Sequence, residues 1–162
     1  MPNIHPMMIH FPIALIITTL VVDVLGVALR KKSFTVAGTI TTAGALIGAI
    51  VAVLTGLFAE DSSWIPGAAH EILETHELFG FIALGVIAMM AVMRLALHDR
   101  LTGGLRWLMI LMGTIATGVI IFGAYLGGEM VYNHGAGVKA AENCVKDSVS
   151  GNGKYDVIEN TD

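Results

Sequence analysis

A single cysteine, Cys144, is all the thiol chemistry in 162 residues. It excludes an internal disulfide, a CxxC pair and the CxxCH signature of covalent c-type haem attachment, leaving Cys144 as a lone thiol. Charge is scarce as well: 14% of residues are charged against 55% hydrophobic, with a mean hydropathy of +0.76. That balance excludes an ordinary soluble domain, and no nucleic-acid partner is expected. Lys and Arg are missing from the N-terminal segment and from 59–77, although the latter carries Glu60, Asp61, Glu71, Glu74 and Glu77. No basic residue precedes the first apolar run, which is long and interrupted by Asp23. It is therefore expected to be a retained helix, not a cleaved signal peptide.

What is present is apolar length. Four stretches, 11–29, 34–58, 78–97 and 107–128, can cross a hydrocarbon core of about 30 Å, which takes about 20 helical residues. The basic residues set the expected orientation, since Lys and Arg near membrane ends stay in the cytoplasm. Arg30, Lys31 and Lys32 fill the first connection, and Arg94, Arg100 and Arg106 surround the third. Lys139, Lys146 and Lys154, spread through the tail, vote weakly against this. The sequence thus predicts an all-α integral membrane protein, a four-helix up-down bundle with both termini outside. The membrane domain covers 1–134, and an extramembrane C-terminal tail, 135–162, forms an extended or partly ordered arm. The expected location is a bacterial inner membrane, with the termini on the periplasmic side. The connection 59–77 is long enough to lie across the outer mouth, and Trp64 suits the interfacial belt.

On that topology five of the six histidines gather at one side. His10, His76 and His134 share a depth, His5 lies further out, and His70, six residues before His76, is rotated by about 240° and faces elsewhere. Histidine is costly in a bilayer and common as a ligand, so a shared site is expected at His10, His76, His134 and His5. Small residues recur on the same helix faces: Ala14 after His10, Gly80 and Ala83 after His76, and Gly123 and Gly127 before His134. They leave room for a flat macrocycle. In a bis-histidine b-type haem two imidazoles from different helices take the axial positions, and His10 with His76 is the first pairing to consider. The plainer reading stands beside it: small residues let membrane helices approach, as in the pairs Gly44/Gly48 and Gly123/Gly127.

Zinc or copper is the alternative use of the same imidazoles. The histidines of His-Glu-Ile-Leu-Glu-Thr-His-Glu are six apart, however, not the four of a zinc-protease helix. Asp23 needs a partner within the membrane, and Arg94 is at a compatible depth; proton handling is its second reading. Glu129 could hydrogen-bond a ligand imidazole or simply be hydrated. Met7, Met8 and Met130 could ligate through sulfur, although nine methionines in so apolar a chain are expected to fill the core.

The run His-Pro-Met-Met-Ile-His-Phe-Pro-Ile-Ala-Leu from His5, the Thr55-Gly56 pair, Thr75-His76-Glu77, and Gly-Gly-Glu-Met-Val-Tyr-Asn-His-Gly-Ala-Gly-Val from Gly127 resemble a bacterial four-helix membrane family. It is the family catalogued as domain of unknown function 2231. The resemblance covers 1–138, implies four spans, and marks His5, His10, His76 and His134 as motif histidines. The layout is also similar to two-haem b-type membrane cytochromes. Those often place haems towards both faces, whereas His98 is the only inner histidine here, which implies one haem, or two crowded near the outer face. The reading is an electron-transfer subunit, not a stand-alone enzyme. It binds haem b and passes electrons between a periplasmic redox protein and a quinone or larger membrane complex. A zinc or copper transporter and a cofactor-free structural subunit are the alternatives.

Overall fold

The computed structural model describes residues 4–97 and 103–149. His98 and Arg100, expected on the inner side, and Lys154 with the rest of the tail from 150 lie outside the described residues. Six α-helices follow in chain order: α1 His5–Met8, α2 His10–Leu29, α3 Lys32–Ser62, α4 His70–Ala96, α5 Gly104–Tyr132 and α6 Lys139–Val149, with a 3-10 turn at Gly67–Ala69. Four of them, α1 and α2 counted as one, are long and apolar enough to cross a membrane. Helix α2 packs on α3, α3 on α4 and α4 on α5, and α5 closes back on α2. This is the expected four-helix arrangement.

The helices overrun the apolar stretches. The second and third segments, expected at 34–58 and 78–97, run Lys32–Ser62 and Gly67–Ala96 with the 3-10 turn included. The expected 59–77 cap is therefore mostly helix, and only a short connection around Trp64 separates α3 from α4. Glu71 in the first turn of α4 faces the positive end of the helix dipole, so carboxylates that broke the hydropathy pattern favour the helix start. The tail departs from expectation too: 139–149 is an amphipathic helix carrying a Glu142–Lys146 pair at 2.6 Å, one turn apart. The α2–α3 turn is tight, with Arg30 ending α2 in the left-handed conformation at φ 54° and Lys31 extended.

Size is sorted by surroundings. Ile40, Ile47 and Phe58 of α3 are more than half exposed, on the surface where lipid lies, while Ala45, Ala49 and Ala52 turn inward. Ile16, Ile87, Met90 and Met109 fill the centre. Lipid is as apolar as leucine, so burial gives little net drive for helix association; close van der Waals approach and interhelical hydrogen bonds must supply it.

The α2–α3 seam shows how that approach is made. A Cβ at Gly48 would stand 3.1 Å from Pro12 Cδ, and one at Gly44 would stand 3.0 Å from Leu15 Cδ1. Further along, the Thr19 and Thr41 hydroxyls meet at 2.8 Å. Asp23 then lies against Gly38, and Gly26 against Phe34. Each step of three or four residues along α2 is matched by a step of four or three back along α3, fourteen residues in all on each helix from Pro12/Gly48 to Gly26/Phe34, which is the register of an antiparallel pair.

At the far end of this seam the expected Asp23–Arg94 pair is present. Arg94, buried to 1% exposure, donates from Nη2 to Asp23 Oδ2 and so joins α4 to α2. Arg106 of α5 reaches back to the Gly26 carbonyl at 3.1 Å and the Thr35 hydroxyl at 2.9 Å. Removing one partner of a buried pair leaves an uncompensated charge, which costs about 3–5 kcal/mol. Asp23→Asn is accordingly expected to lower the thermal midpoint of the purified protein sharply. The double change Asp23→Asn with Arg94→Met should recover part of the loss. A single variant as stable as the parent would show that the pair is not structural.

Candidate functional site

At the opposite end of the bundle, His5 and His76 face one another across the helices. Helix α1 sets His5 over α3, and the second turn of α4 brings in His76. Their ring centres are 6.2 Å apart and the ring planes are perpendicular, at 89°. Each ring is anchored by a neighbouring helix. His5 Nδ1 lies 2.9 Å from the Ala52 carbonyl and 3.3 Å from Thr55 Oγ1, and His76 Nδ1 lies 2.8 Å from the Gly123 carbonyl. A carbonyl oxygen only accepts, so in both rings Nδ1 carries the proton and Nε2 carries the lone pair of the neutral imidazole. A ring nitrogen donating to a backbone carbonyl is a feature metal-ligating histidines usually share.

Both rings line one cavity of about 130 Å³. The walls are apolar. Ala49, Ala83 and Gly123 form its buried side, and the half-exposed Phe81 and the exposed Leu57 place its mouth on the lipid-facing surface between α3 and α4. Glu77 is the other titratable side chain on the lining. Among the described residues, no three His, Cys, Asp or Glu side chains gather closely enough to hold a metal ion.

The expected residues are therefore divided. His76 and His5 meet, and Gly80, Ala83 and Gly123 line the cavity as their spacing suggested. Gly127 stands behind His76, where a Cβ would come within 3.3 Å of the ring Cε1. His10 is not part of this pair. Five residues of helix separate it from His5, a rotation of about 140°, so it turns outward with exposed Ala14 on its own face. His134 falls in the turn after α5, outside the cavity lining, and His70 is exposed at the start of α4. His134 belongs to a helix cap: left-handed Gly135, at φ 69°, donates to the Val131 carbonyl, and two residues later the Gly137 amide donates to the Trp64 carbonyl at 2.9 Å. The last sequence motif thereby ties the end of α5 to the α3–α4 connection. Glu129 and Met130 close α5 without lining the cavity.

Sequence spacing favoured His10 because α1 and α2 read as one apolar run with its histidines at the edge. The signal that singles out His5 is its distance of seven residues from Pro12. That places it on the face that meets α3, beside Thr55 and Gly56.

A family model described as a predicted membrane protein, DUF2231, matches residues 1–140. Neither a curated protein nor a solved structure matches the chain.

The cavity can be filled without disturbing the bundle. A Cβ at Gly80 meets nothing within 4 Å, and replacing a helical glycine gains about 0.8–1.0 kcal/mol of propensity. Gly80→Leu is expected to keep or raise the thermal midpoint while closing the crevice. Ala49→Leu, at a position only 6% exposed, should cost about 1–3 kcal/mol by overpacking. Equal losses for the two variants would mean that the space beside Gly80 is not open.

Proposed function

The chain belongs to the DUF2231 family of predicted membrane proteins; on that premise we propose that it is a b-type haem protein in which His5 and His76 would hold the haem iron. The observation that carries this reading is the pair itself. Two imidazoles bound on opposite sides of one ion, at about 2.0 Å per bond, put their ring centres roughly 6 Å apart, and the pair stands at 6.2 Å. Two protein donors suffice only when a macrocycle supplies the other four nitrogens. Zinc takes three or four protein ligands, so a dedicated zinc site is short of donors among the described residues.

Space constrains this ligand. The cavity, about 130 Å³, is close to the size that holds a benzene. A porphyrin would therefore have to extend through the open side, where Leu57 and Phe81 lie. When bound, haem supplies a one-electron iron couple. The protein's contribution is to fix the imidazole tautomers through the Ala52 and Gly123 carbonyls and to exclude water with alanine and glycine walls.

In this reading the histidine end faces the periplasm. Electrons pass there between a soluble donor and a quinone or larger membrane complex, the protein acting as an electron-transfer subunit of a bacterial inner membrane.

Purified protein should show reduced b-type absorption bands and release extractable haem. His5→Ala and His76→Ala should lose them with the helical fold retained, while His10→Ala, His70→Ala and His134→Ala should keep them. A parent protein with no such bands and no haem would instead leave the cofactor-free structural subunit as the reading. Orientation is tested separately: Cys144, exposed on α6, should react with a membrane-impermeant maleimide added to spheroplasts. Labelling only after lysis would reverse the topology.

A further inference from the structure

Thr55 and Gly56 are consecutive on α3, and neither coordinates anything in the reading above. We infer that together they form the seat of His5 and act as positioning residues for the histidine pair, an inference that rests on that reading for its haem consequence. Two independent contacts support the assignment. The His5 Nδ1 proton is shared between the Ala52 carbonyl at 2.9 Å and Thr55 Oγ1 at 3.3 Å. The Thr55 hydroxyl spends its own proton on backbone carbonyls, Val51 at 2.8 Å or Ala52 at 3.0 Å, so towards the imidazole its oxygen acts as an acceptor. Beside it, Gly56 has the ring pressed against its backbone. A Cβ there would stand 3.1 Å from His5 Cε1 and 3.3 Å from Nδ1.

The consequence is directional. The Ala52 carbonyl fixes which nitrogen of His5 is protonated, Thr55 fixes how the ring is turned, and Gly56 fixes how far the ring stands from α3. The same device is built at His76 from another helix, with the Gly123 carbonyl in the role of acceptor and Gly127 in the role of close seat, a Cβ there coming within 3.3 Å of His76 Cε1. The two seats differ in one respect. His76 donates to a carbonyl, whereas His5 has a hydroxyl as well, and a side chain can be exchanged where a backbone carbonyl cannot.

The test uses full-length Thr55→Val, Thr55→Ser and Gly56→Ala, with Gly85→Ala as control because a Cβ at Gly85 meets nothing within 4 Å. In haem-free protein, carbethoxylation of His5 read by mass spectrometry should speed up in Thr55→Val and Gly56→Ala and stay at the parental rate in Thr55→Ser and Gly85→Ala. In haem-loaded protein, Thr55→Val and Gly56→Ala should hold haem about 10- to 100-fold more weakly, the usual cost of removing a group that orients a ligand. Their low-spin electron paramagnetic resonance signals should shift, and Thr55→Ser should restore the parental signal. Unchanged His5 reactivity, or unchanged haem retention in a parent that binds haem, overturns the inference. A parent without haem defeats the haem reading, and the His5 reactivities in the same preparations still decide the seat.

Discussion

The contact of Pro12 with Gly48 is the point on which the rest of the bundle depends. Only a residue without a side chain lets the proline ring come down onto the α3 backbone, and that distance sets the spacing of α2 and α3 along their whole length. One turn and two turns beyond Gly48 on the same face of α3 are Ala52 and Gly56; seven residues before Pro12, again on the same face, is His5. The imidazole therefore arrives over an alanine carbonyl and a glycine because the proline has already fixed the register. In the other direction the same register carries Asp23 onto Gly38 and into reach of Arg94.

This dependence suits a protein surrounded by lipid. Large aliphatic side chains gain little from facing one another when the alternative is a hydrocarbon tail, and here they face outward. The interior is made mostly of alanine, glycine, threonine and methionine around Ile16 and Ile87, and polar contacts serve as fixed points at its two ends. One end holds the buried charged pair of Asp23 and Arg94. At the other, two imidazoles each have Nδ1 anchored to a backbone carbonyl and stand edge to face.

Much of the fold was legible from composition and spacing, for a physical reason. Hydropathy marks the four crossings because the bilayer imposes a length, and the need of Asp23 for a countercharge at its own depth pointed to Arg94. The helix ends were not legible in the same way. Glu60 and Asp61 read as connection, yet a helix leaving hydrocarbon for water continues as long as its backbone bonds are satisfied, whereas Glu71, Glu74 and Glu77 with His70 read as the hydrated face of a helix start, where carboxylates suit the dipole. The site was half legible. His76 and the small residues Gly80, Ala83 and Gly123 follow from facing and depth, but the choice between His5 and His10 depends on the rotation of the first helix about its axis. Depth says nothing about rotation; the contact of Pro12 with Gly48 determines it.

The matched advance of α2 and α3 makes the two ends of the bundle dependent on a number of residues more than on their identities. Asp23 stands eighteen positions after His5, which is five turns at about 3.6 residues each, so both project towards α3. Inserting or deleting one residue between them would turn one end by about 100° against the other. Either the carboxylate would leave Arg94 or the imidazole would leave the cavity. The length of this helix is thus a shared setting for stability at one end and chemistry at the other, and the chain can change its side chains more freely than its count.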